Sequence, residues 1–521
     1  MAIRAIEQAA READLPRPFR PLLPPLPATL TLDSLAGSQT AASPPGAAPF
    51  GLMDSPKQQA QPADFLDLAG SDRLMVAGGP QSGRTTFART LITTIAARFR
   101  ADEVHLYIVE RYPGGLSAVE NLPHCGGVFA PSQPERIRRL VMWLGQETQR
   151  RTVGNDSPRI VVVIDGWEHF EDHSDPAFTP TSLVMTMREI ITKGAPLGIH
   201  IVAIGGQDML DHKLPALYSR RLLLPFPKEE TRRMHLPAAM TSPPSLPGRA
   251  VDAATGLHVQ ICLPVRGNEI RDLDPVRAPK QFPPIPARVP LSGLTLPDPL
   301  PSSTWIPLGV GGADNATIGL DLFHGRHHLL LVSGPAESGK TTAAAAVAES
   351  LRRAGIGVLA VSPPRSPLAR TLPDDPGIRV LTDVTIADTR LREEAETFGD
   401  EPYAVVLDDA DHVTILPTQQ GFADSPTLLD DISHPGARGR RALVLTVDAT
   451  PVLGGFPSPL ARLINAIMSA GARIVLTPAG RTVSVAHNLA LEADQYLSGP
   501  PGRGYLATGR EPVALHFASP G

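Results

Sequence analysis

The chain has 521 residues, 42% of them hydrophobic, with a formal net charge of −5 and two cysteines. That length implies about two to four domains with real apolar cores and excludes wholesale disorder, while the acidic balance argues against a general nucleic-acid binder, whose footprint is normally basic. Cys125 and Cys262 stand far apart and outside any C-x-x-C pattern, which excludes a cysteine metal site and fits a reducing compartment.

The first residues, MAIRAIEQAAREADLP, read as a charged helix without the apolar centre of a secretory signal, and no apolar run approaches the ~18 residues of a transmembrane helix. A cytoplasmic location is the expectation. Proline, 56 residues of 521, is about twice its usual ~5% share. It gathers in residues 15–30 (LPRPFRPLLPPLPATL), again in ASPPGAAPF, and in residues 276–303, where its density blocks helix and central-strand continuity. The expected organisation is a helix and proline-rich lead-in over 1–47, a domain over 48–275, a linker over 276–303 and a second domain over 304–521.

Each predicted domain shows the same order of parts. RLMVA (73–77) is a short apolar run that ends at the glycine-rich stretch GGPQSGRT, after which residues 85–98 read as a helix; HHLLLVS (327–333) leads to GPAESGKT, followed by an alanine-rich helix over 341–353. Downstream of each loop comes a β-rich run closing on aspartate, RIVVVIDG (159–166) and YAVVLDDAD (403–411). A further buried-type strand then follows, GIHIVAIGG (198–206) and RRALVLTVD (440–448). Short apolar runs alternating with helical stretches predict an α/β fold: two tandem P-loop domains, each a parallel sheet with helices on both faces and nucleotide at the C-terminal strand ends. Identity between the halves is low, so the repeat is one of architecture.

A loop of the form G-x-x-x-x-G-K-[ST] turns consecutive backbone N–H groups around phosphate at a helix N-terminus; its lysine reaches the β- and γ-phosphates and its hydroxyl ligates magnesium. The second loop, Gly334, Pro335, Ala336, Glu337, Ser338, Gly339, Lys340 and Thr341, satisfies the pattern. The strand AVVLDD adds Asp408 for a magnesium-bound water and Asp409 as the acid that orients the attacking water, so Asp408 and Asp409 are the candidate catalytic pair. ATP and Mg²⁺ are the implied cofactors, with Thr341 and Asp408 as the metal group. The first loop, Gly78, Gly79, Pro80, Gln81, Ser82, Gly83, Arg84 and Thr85, has arginine in place of lysine. A planar guanidinium cannot nestle as a point charge between two phosphates. Thr85 and Asp165 keep the magnesium group, but Gly166 follows Asp165 and Glu168 is displaced from the strand end. This site is expected to hold nucleotide with most catalysis lost.

Other clusters carry bland readings. HFEDH (169–173) lacks the H-E-x-x-H order of a zinc protease and reads as a solvated helix end. KEETRR (228–233) reads as a solvated face and RGRR (438–441) as a loop. Arg220 and Arg221 read as a surface pair beside a strand, with contact to a neighbouring subunit as the alternative.

Several short motifs are similar to the EccC family, FtsK/SpoIIIE-type ATPases of actinobacterial type VII (ESX) secretion systems. They include LPPLP (23–27), GLMDSP (51–56), ENLPHCGGVF (120–129), VVVIDGW through Trp167, LGIHIV, PGRAV (247–251), IPLGV (306–310), VVLDDAD and PPGRGYL (500–506), in family order over nearly the whole chain. Departures are Arg84, Glu110 in place of a frequent aspartate, and AVSPPRSP (360–367). The resemblance implies a soluble form carrying the second and third ATPase modules. It also implies a membrane-anchored EccC-type partner that recruits the chain to the inner face of the membrane, hexameric assembly, and small helical Esx-type substrates whose C-terminal signal docks on the last module. Three functions compete: a secretion motor subunit turning over ATP at the second site, a receptor or regulatory module in which ATP is structural, and a DNA translocase. The acidic charge and the short stretch after the second ATPase make the last the weakest; the first is favoured, with hydrolysis by this chain left open.

Overall fold

Runs of β-branched and aliphatic residues bounded by glycine and proline become the strands of two ten-stranded sheets, one in each of two units, Met1–Phe282 and Pro283–Gly521. The computed structural model describes residues 2–14, 23–36, 44–110, 114–167, 182–210, 214–237, 240, 242, 244–264, 277–324, 327–420, 423–448, 458–478, 487–489, 491, 495, 500–509 and 511–520. Glu168 and the HFEDH cluster lie outside them.

In the first unit the strands are β1 (Ala47–Asp54), β2 (Ala63–Asp67), β3 (Leu74–Ala77), β4 (Val104–Glu110), β5 (Cys125–Phe129), β6 (Arg159–Asp165), β7 (Ile199–Gly205), β8 (Arg220–Leu223), β9 (Arg249–Asp252) and β10 (His258–Ile261). Their order across the sheet is β2-β1-β10-β9-β8-β3-β7-β6-β4-β5. The second sheet is built from β11 (Trp305–Gly311), β12 (Ala316–Asp321), β13 (Leu329–Ser333), β14 (Gly357–Val361), β15 (Ile378–Leu381), β16 (Tyr403–Leu407), β17 (Arg441–Val447), β18 (Ala472–Leu476), β19 (Arg503–Ala507) and β20 (Val513–Phe517). Its order is β12-β11-β20-β19-β18-β13-β17-β16-β14-β15, which is the first order with ten added to every label. The architectural repeat read from the sequence is therefore an identity of topology.

The expected parallel strands form one side of each sheet, and each sheet is mixed. Strands β8 to β5, and likewise β18 to β15, pair in parallel, whereas the four strands on the other side join antiparallel. The parallel part is the predicted P-loop core, and its strands are buried on both faces as that geometry demands. In β6, Ile160, Val161, Val162, Val163 and Ile164 are all fully buried, each such side chain contributing roughly 1.5–3 kcal/mol of burial. Alternate residues serve opposite faces. Val161 and Val163 pack with Phe87, Leu91 and Ile95 of the helix Arg84–Arg98, whereas Ile160, Val162 and Ile164 pack with Ile137, Leu140, Met187 and Ile190 of two other helices. The second sheet is sandwiched the same way, between the helix Lys340–Arg353 and the helices Leu428–Ser433 and Pro459–Ala470.

The proline-rich segments are straps. Within the first unit, the Arg249 Nη2 donates to the carbonyls of Leu26 (3.0 Å) and Pro27 (2.9 Å), and Thr31 bridges Leu263. Within the second, the Arg503 Nη2 donates to the Ile285 carbonyl at 2.9 Å and Pro290 bridges Ser519. Proline-rich backbone has few N–H groups of its own, so its carbonyls are what an arginine can hold. The boundary between the units falls at Phe282/Pro283; Phe282 itself is buried against Tyr107, Phe129 and Trp143.

One charged reading is overturned and a second is corrected in part, since Lys228, Glu230 and Arg233 are exposed as expected. Arg220 does not lie on the surface for a neighbour to use: its guanidinium reaches inward to Asp64 at 2.6 Å, Asp252 at 3.6 Å and Asp72 at 3.8 Å. In KEETRR, Arg232 is fully buried and bonded to Glu229, because the short helix Glu229–Met234 turns that side chain inward. Burial raises the Asp64 carboxyl to about 6 in spite of Arg220, so the cluster depends on its one cation. Replacing Arg220→Met should destabilise the first unit by about 3–5 kcal/mol, because two buried carboxylates lose their counter-charge. In urea titrations the deficit should shrink as pH falls toward 6, because Asp64 without Arg220 takes up its proton at higher pH than the wild type does; a pH-independent loss under 1 kcal/mol would refute this account.

Candidate nucleotide sites

Both glycine loops leave the end of a central parallel strand, β3 or β13, and enter a helix at once. The entry residue is glycine in each, Gly83 (φ +106°) and Gly339 (φ +97°), in the left-handed region that side-chain-bearing residues avoid. Two positions earlier Gln81 (φ +59°) and Glu337 (φ +63°) are left-handed too. Such alternation points successive N–H groups inward into an anion-binding concavity. The first N–H groups of the following helix add to it, having no intrahelical partner.

Each loop is clamped from behind by a second glycine. The Gly248 N–H donates to the Ser82 carbonyl (2.9 Å), and the Gly502 N–H to the Ser338 carbonyl (2.7 Å). A Cβ on Gly339 would lie 2.8 Å from the Gly502 nitrogen, so this approach tolerates no side chain. Gly248 and Gly502 belong to the PGRAV and PPGRGYL motifs, whose arginines hold the straps.

The metal groups predicted from the sequence come together in both sites. The Thr85 hydroxyl donates to Asp165 Oδ2 at 2.8 Å, and the Thr341 hydroxyl to Asp408 Oδ2 at 2.9 Å. A hydroxyl beside a strand-end carboxylate is the hard oxygen set that suits magnesium, which takes one or two protein groups and completes its shell with phosphates and water. The hydroxyls of Ser82 and Ser338 are buried without a hydrogen-bond partner among the described residues, consistent with a ligand in each cradle.

Around this common cradle the sites diverge. Asp408 is fully buried and accepts further bonds from the hydroxyls of Ser366 (2.6 Å) and Thr446. In the first sheet the residue in register with Thr446 is Ile204, paired with Asp165, and it has no hydroxyl to give. The residue after the strand aspartate is left-handed in both: Gly166 (φ +106°) and Asp409 (φ +49°). An aspartate held there costs of order 1–2 kcal/mol of backbone strain, which the first site avoids by using glycine. Asp409 is half-buried, its backbone N–H bonded to the Thr446 hydroxyl (2.8 Å) and its carboxylate 3.3 Å from Arg365. Burial, then the charge of Asp408, raise its carboxyl above the usual range, a direction that favours proton uptake from water.

The cations differ most. Lys340 is buried and donates to the carbonyls of Gly334 (2.9 Å) and Pro335 (3.0 Å) and to Asp448 Oδ1 (2.6 Å). Arg84 has no hydrogen-bond or ion-pair partner among the described residues. Arg365, Ser366, Thr446 and Asp448 join the site although no motif marks them. Arg365 and Ser366 lie in AVSPPRSP, which departs from the family pattern, and Thr446 and Asp448 close the apolar run of β17. The one available signal was the polar pair T-x-D closing an otherwise apolar run.

Residues 48–219 match the FtsK/SpoIIIE family. This part of the chain is an FtsK/SpoIIIE-type domain. Relatives of the chain include the ESX-4 secretion system protein EccC4 of Mycobacterium tuberculosis, 29% identical over 351 residues (62% of this chain, 27% of that protein). Another is the ESX-1 secretion system protein EccCb1 of Mycolicibacterium smegmatis, 27% identical over 363 residues (58% of this chain, 57% of that protein). The chain thus spans less than two thirds of the length of these relatives. Among solved structures, ATPases 2 and 3 of Thermomonospora curvata EccC, in complex with a signal sequence peptide, match with a TM-score of 0.68 at 19% identity, covering 95% of this chain and 99% of that one. The cytoplasmic domain of the same organism's type VII secretion ATPase EccC gives 0.67 at 20% identity, covering 97% of this chain and 65% of that one. The fold is that of tandem FtsK-type P-loop domains, so the second unit shares it although the family match lies in the first. Among the described residues no helix is long and apolar enough to cross a membrane.

One further group sits behind the second loop. His487 is fully buried with its Nε2 3.0 Å from the Ser333 hydroxyl, and burial, then the charge of Arg473, lower its pKa to about 4. It is neutral in the fold, so its contribution is full above pH 6.5 and is lost as pH falls toward 4. The loss should reach about 2–3 kcal/mol at pH 4.5. His487→Gln should flatten this part of the acid dependence of unfolding; an unchanged difference between pH 7 and 4.5 would contradict it.

Proposed function

We propose that this chain is an ATP-binding component of a type VII (ESX) protein secretion motor, turning over ATP at the second site while the first holds nucleotide with little chemistry. The observation that carries the reading is the pair of equal cradles with unequal chemistry. Both loops keep the left-handed turn, the glycine clamp and the Thr–Asp pair, whereas only the second adds lysine, a second acid and a three-hydroxyl shell on its aspartate. Lys340 and Thr341 would meet the phosphates and magnesium, Asp408 a metal-bound water, and Asp409 the attacking water. Bound Mg²⁺ supplies charge neutralisation on the phosphates. In the first site Thr85 and Asp165 would hold the metal, Gly78 to Gly83 the phosphates, and Arg84 a diffuse positive charge.

The link to secretion rests on similarity to ESX proteins. One solved relative is described as bound to a signal sequence peptide, and by analogy this chain would engage small helical substrates through their signals. A membrane-anchored ATPase partner at the inner face of the membrane, hexameric assembly, and functional domains over 48–275 and 304–521 joined at 276–303 belong to the same proposal. A receptor module in which ATP is structural is the second reading, favoured by how fully Lys340 is already engaged. The net charge of −5 disfavours a DNA translocase: a salt-robust nanomolar complex with duplex DNA in gel shifts would revive it.

Phosphoryl transfer depends on positioned charge in the transition state, and removing one such group costs about 10²–10³ in rate. Lys340→Ala should therefore cut steady-state hydrolysis by that factor, measured alone and with a membrane-anchored partner, and Arg84→Lys should add little because Gly166 offers no carboxylate. Wild-type turnover in Lys340→Ala would make the first site the engine and refute the assignment.

A further inference from the structure

The Lys340 ammonium has three N–H donors, and three acceptors take them: two carbonyls of its own loop and Asp448. None remains for a phosphate. Asp448 follows β17, which runs between β13, the strand that feeds the loop, and β16, the strand that ends at Asp408. Its carboxylate therefore stands in the crevice between the loop and the magnesium group. The partners are unequal in burial: the Lys340 side chain is 8% exposed and that of Asp448 42%. The cation is fixed in place, and the anion is the partner free to leave.

The first sheet supplies a comparison within the same chain. By strand register Gly206 occupies the place of Asp448. A Cβ there would lie 3.7 Å from Arg84 Nη1, ordinary contact distance, so the position faces the loop cation in both sites and has room for a side chain. The site with the complete lysine carries a carboxylate against it; the site with arginine carries none.

We propose that Asp448 sets nucleotide affinity at the second site by competing with phosphate for Lys340. In the empty site the ion pair is closed. The β- and γ-phosphates of a nucleoside triphosphate bind by displacing the Asp448 carboxylate, which swings toward solvent. The site then binds with its intrinsic affinity reduced by the fraction of time the pair is open, and a pair open about one tenth of the time weakens binding about tenfold. This rests on the nucleotide reading above and adds the residue that tunes it.

The test is calorimetry on the whole chain with Mg²⁺ and adenosine 5′-O-(3-thiotriphosphate), and with AMP, which lacks the phosphates that meet lysine. Asp448→Ala and Asp448→Asn should each tighten the triphosphate about tenfold at the second site and leave AMP unchanged; Asp448→Ala combined with Lys340→Ala should show no gain. Gly206→Asp in a Lys340→Ala background should weaken the first site by a similar factor, and this variant keeps the question open to test if the Asp448 variants fail to fold. Second-site binding that Lys340→Ala abolishes, together with unchanged or weaker second-site binding in Asp448→Ala, overturns the competition alone. If Lys340→Ala leaves wild-type binding untouched, the nucleotide reading falls and the competition falls with it.

Discussion

The rest of each unit is arranged around one backbone hydrogen bond, from the N–H of Gly248 or Gly502 to the serine carbonyl of the glycine loop. That bond ties the loop to the start of β9 or β19, on the antiparallel side of the sheet. The strand before the loop ties it to the parallel side. The loop is thus anchored at both ends of its turn, and its left-handed residues are over-determined by their surroundings, which is what lets a strained turn persist. Arg249 and Arg503, the next residue in each case, extend the same anchor to a proline strap.

This explains why the first loop has the same shape with arginine in place of lysine. The anchor is made by backbone groups and glycines, and none of it depends on the side chain at position 84. The groups proposed for the chemistry, by contrast, are side chains at or after the ends of three adjacent strands, β13, β17 and β16. Lys340, Thr446, Asp448 and Asp409 have as counterparts Arg84, Ile204, Gly206 and Gly166. In the second site these four form two contacts, Lys340 with Asp448 and the Asp409 N–H with the Thr446 hydroxyl. With no acid after Asp165, the left-handed position holds glycine, the residue that adopts it without strain.

Buried charge is used differently in the two units. Arg220 in the first gathers three carboxylates into a structural cluster, while Lys340 and Arg365 in the second balance acids that line a crevice. The former is closed, its cation shared among three carboxylates. The latter is half-open, so its ions can exchange partners when a polyphosphate arrives.

The sequence by itself determined the elements that local chemistry dictates. Apolar runs such as RIVVVID and YAVVL must be buried strands, the glycine loops must turn where they do, and the helix after each begins within one residue of the expected place. Thr341 with Asp408, and Thr85 with Asp165, were legible because loop and strand-end motifs carry fixed roles. The antiparallel half of each sheet was not legible, since strands of four to eight residues with mixed polarity give no periodicity that separates them from loops. Nor were the inward arginines Arg220 and Arg232, whose side chains look solvated in any local window. Only the tertiary structure decided that Arg365, Ser366, Thr446 and Asp448 converge on Lys340 and Asp408. Convergence of this kind is set by strand order and register, which bring residues up to 108 positions apart within hydrogen-bond reach, and no local pattern encodes a distance across the sheet.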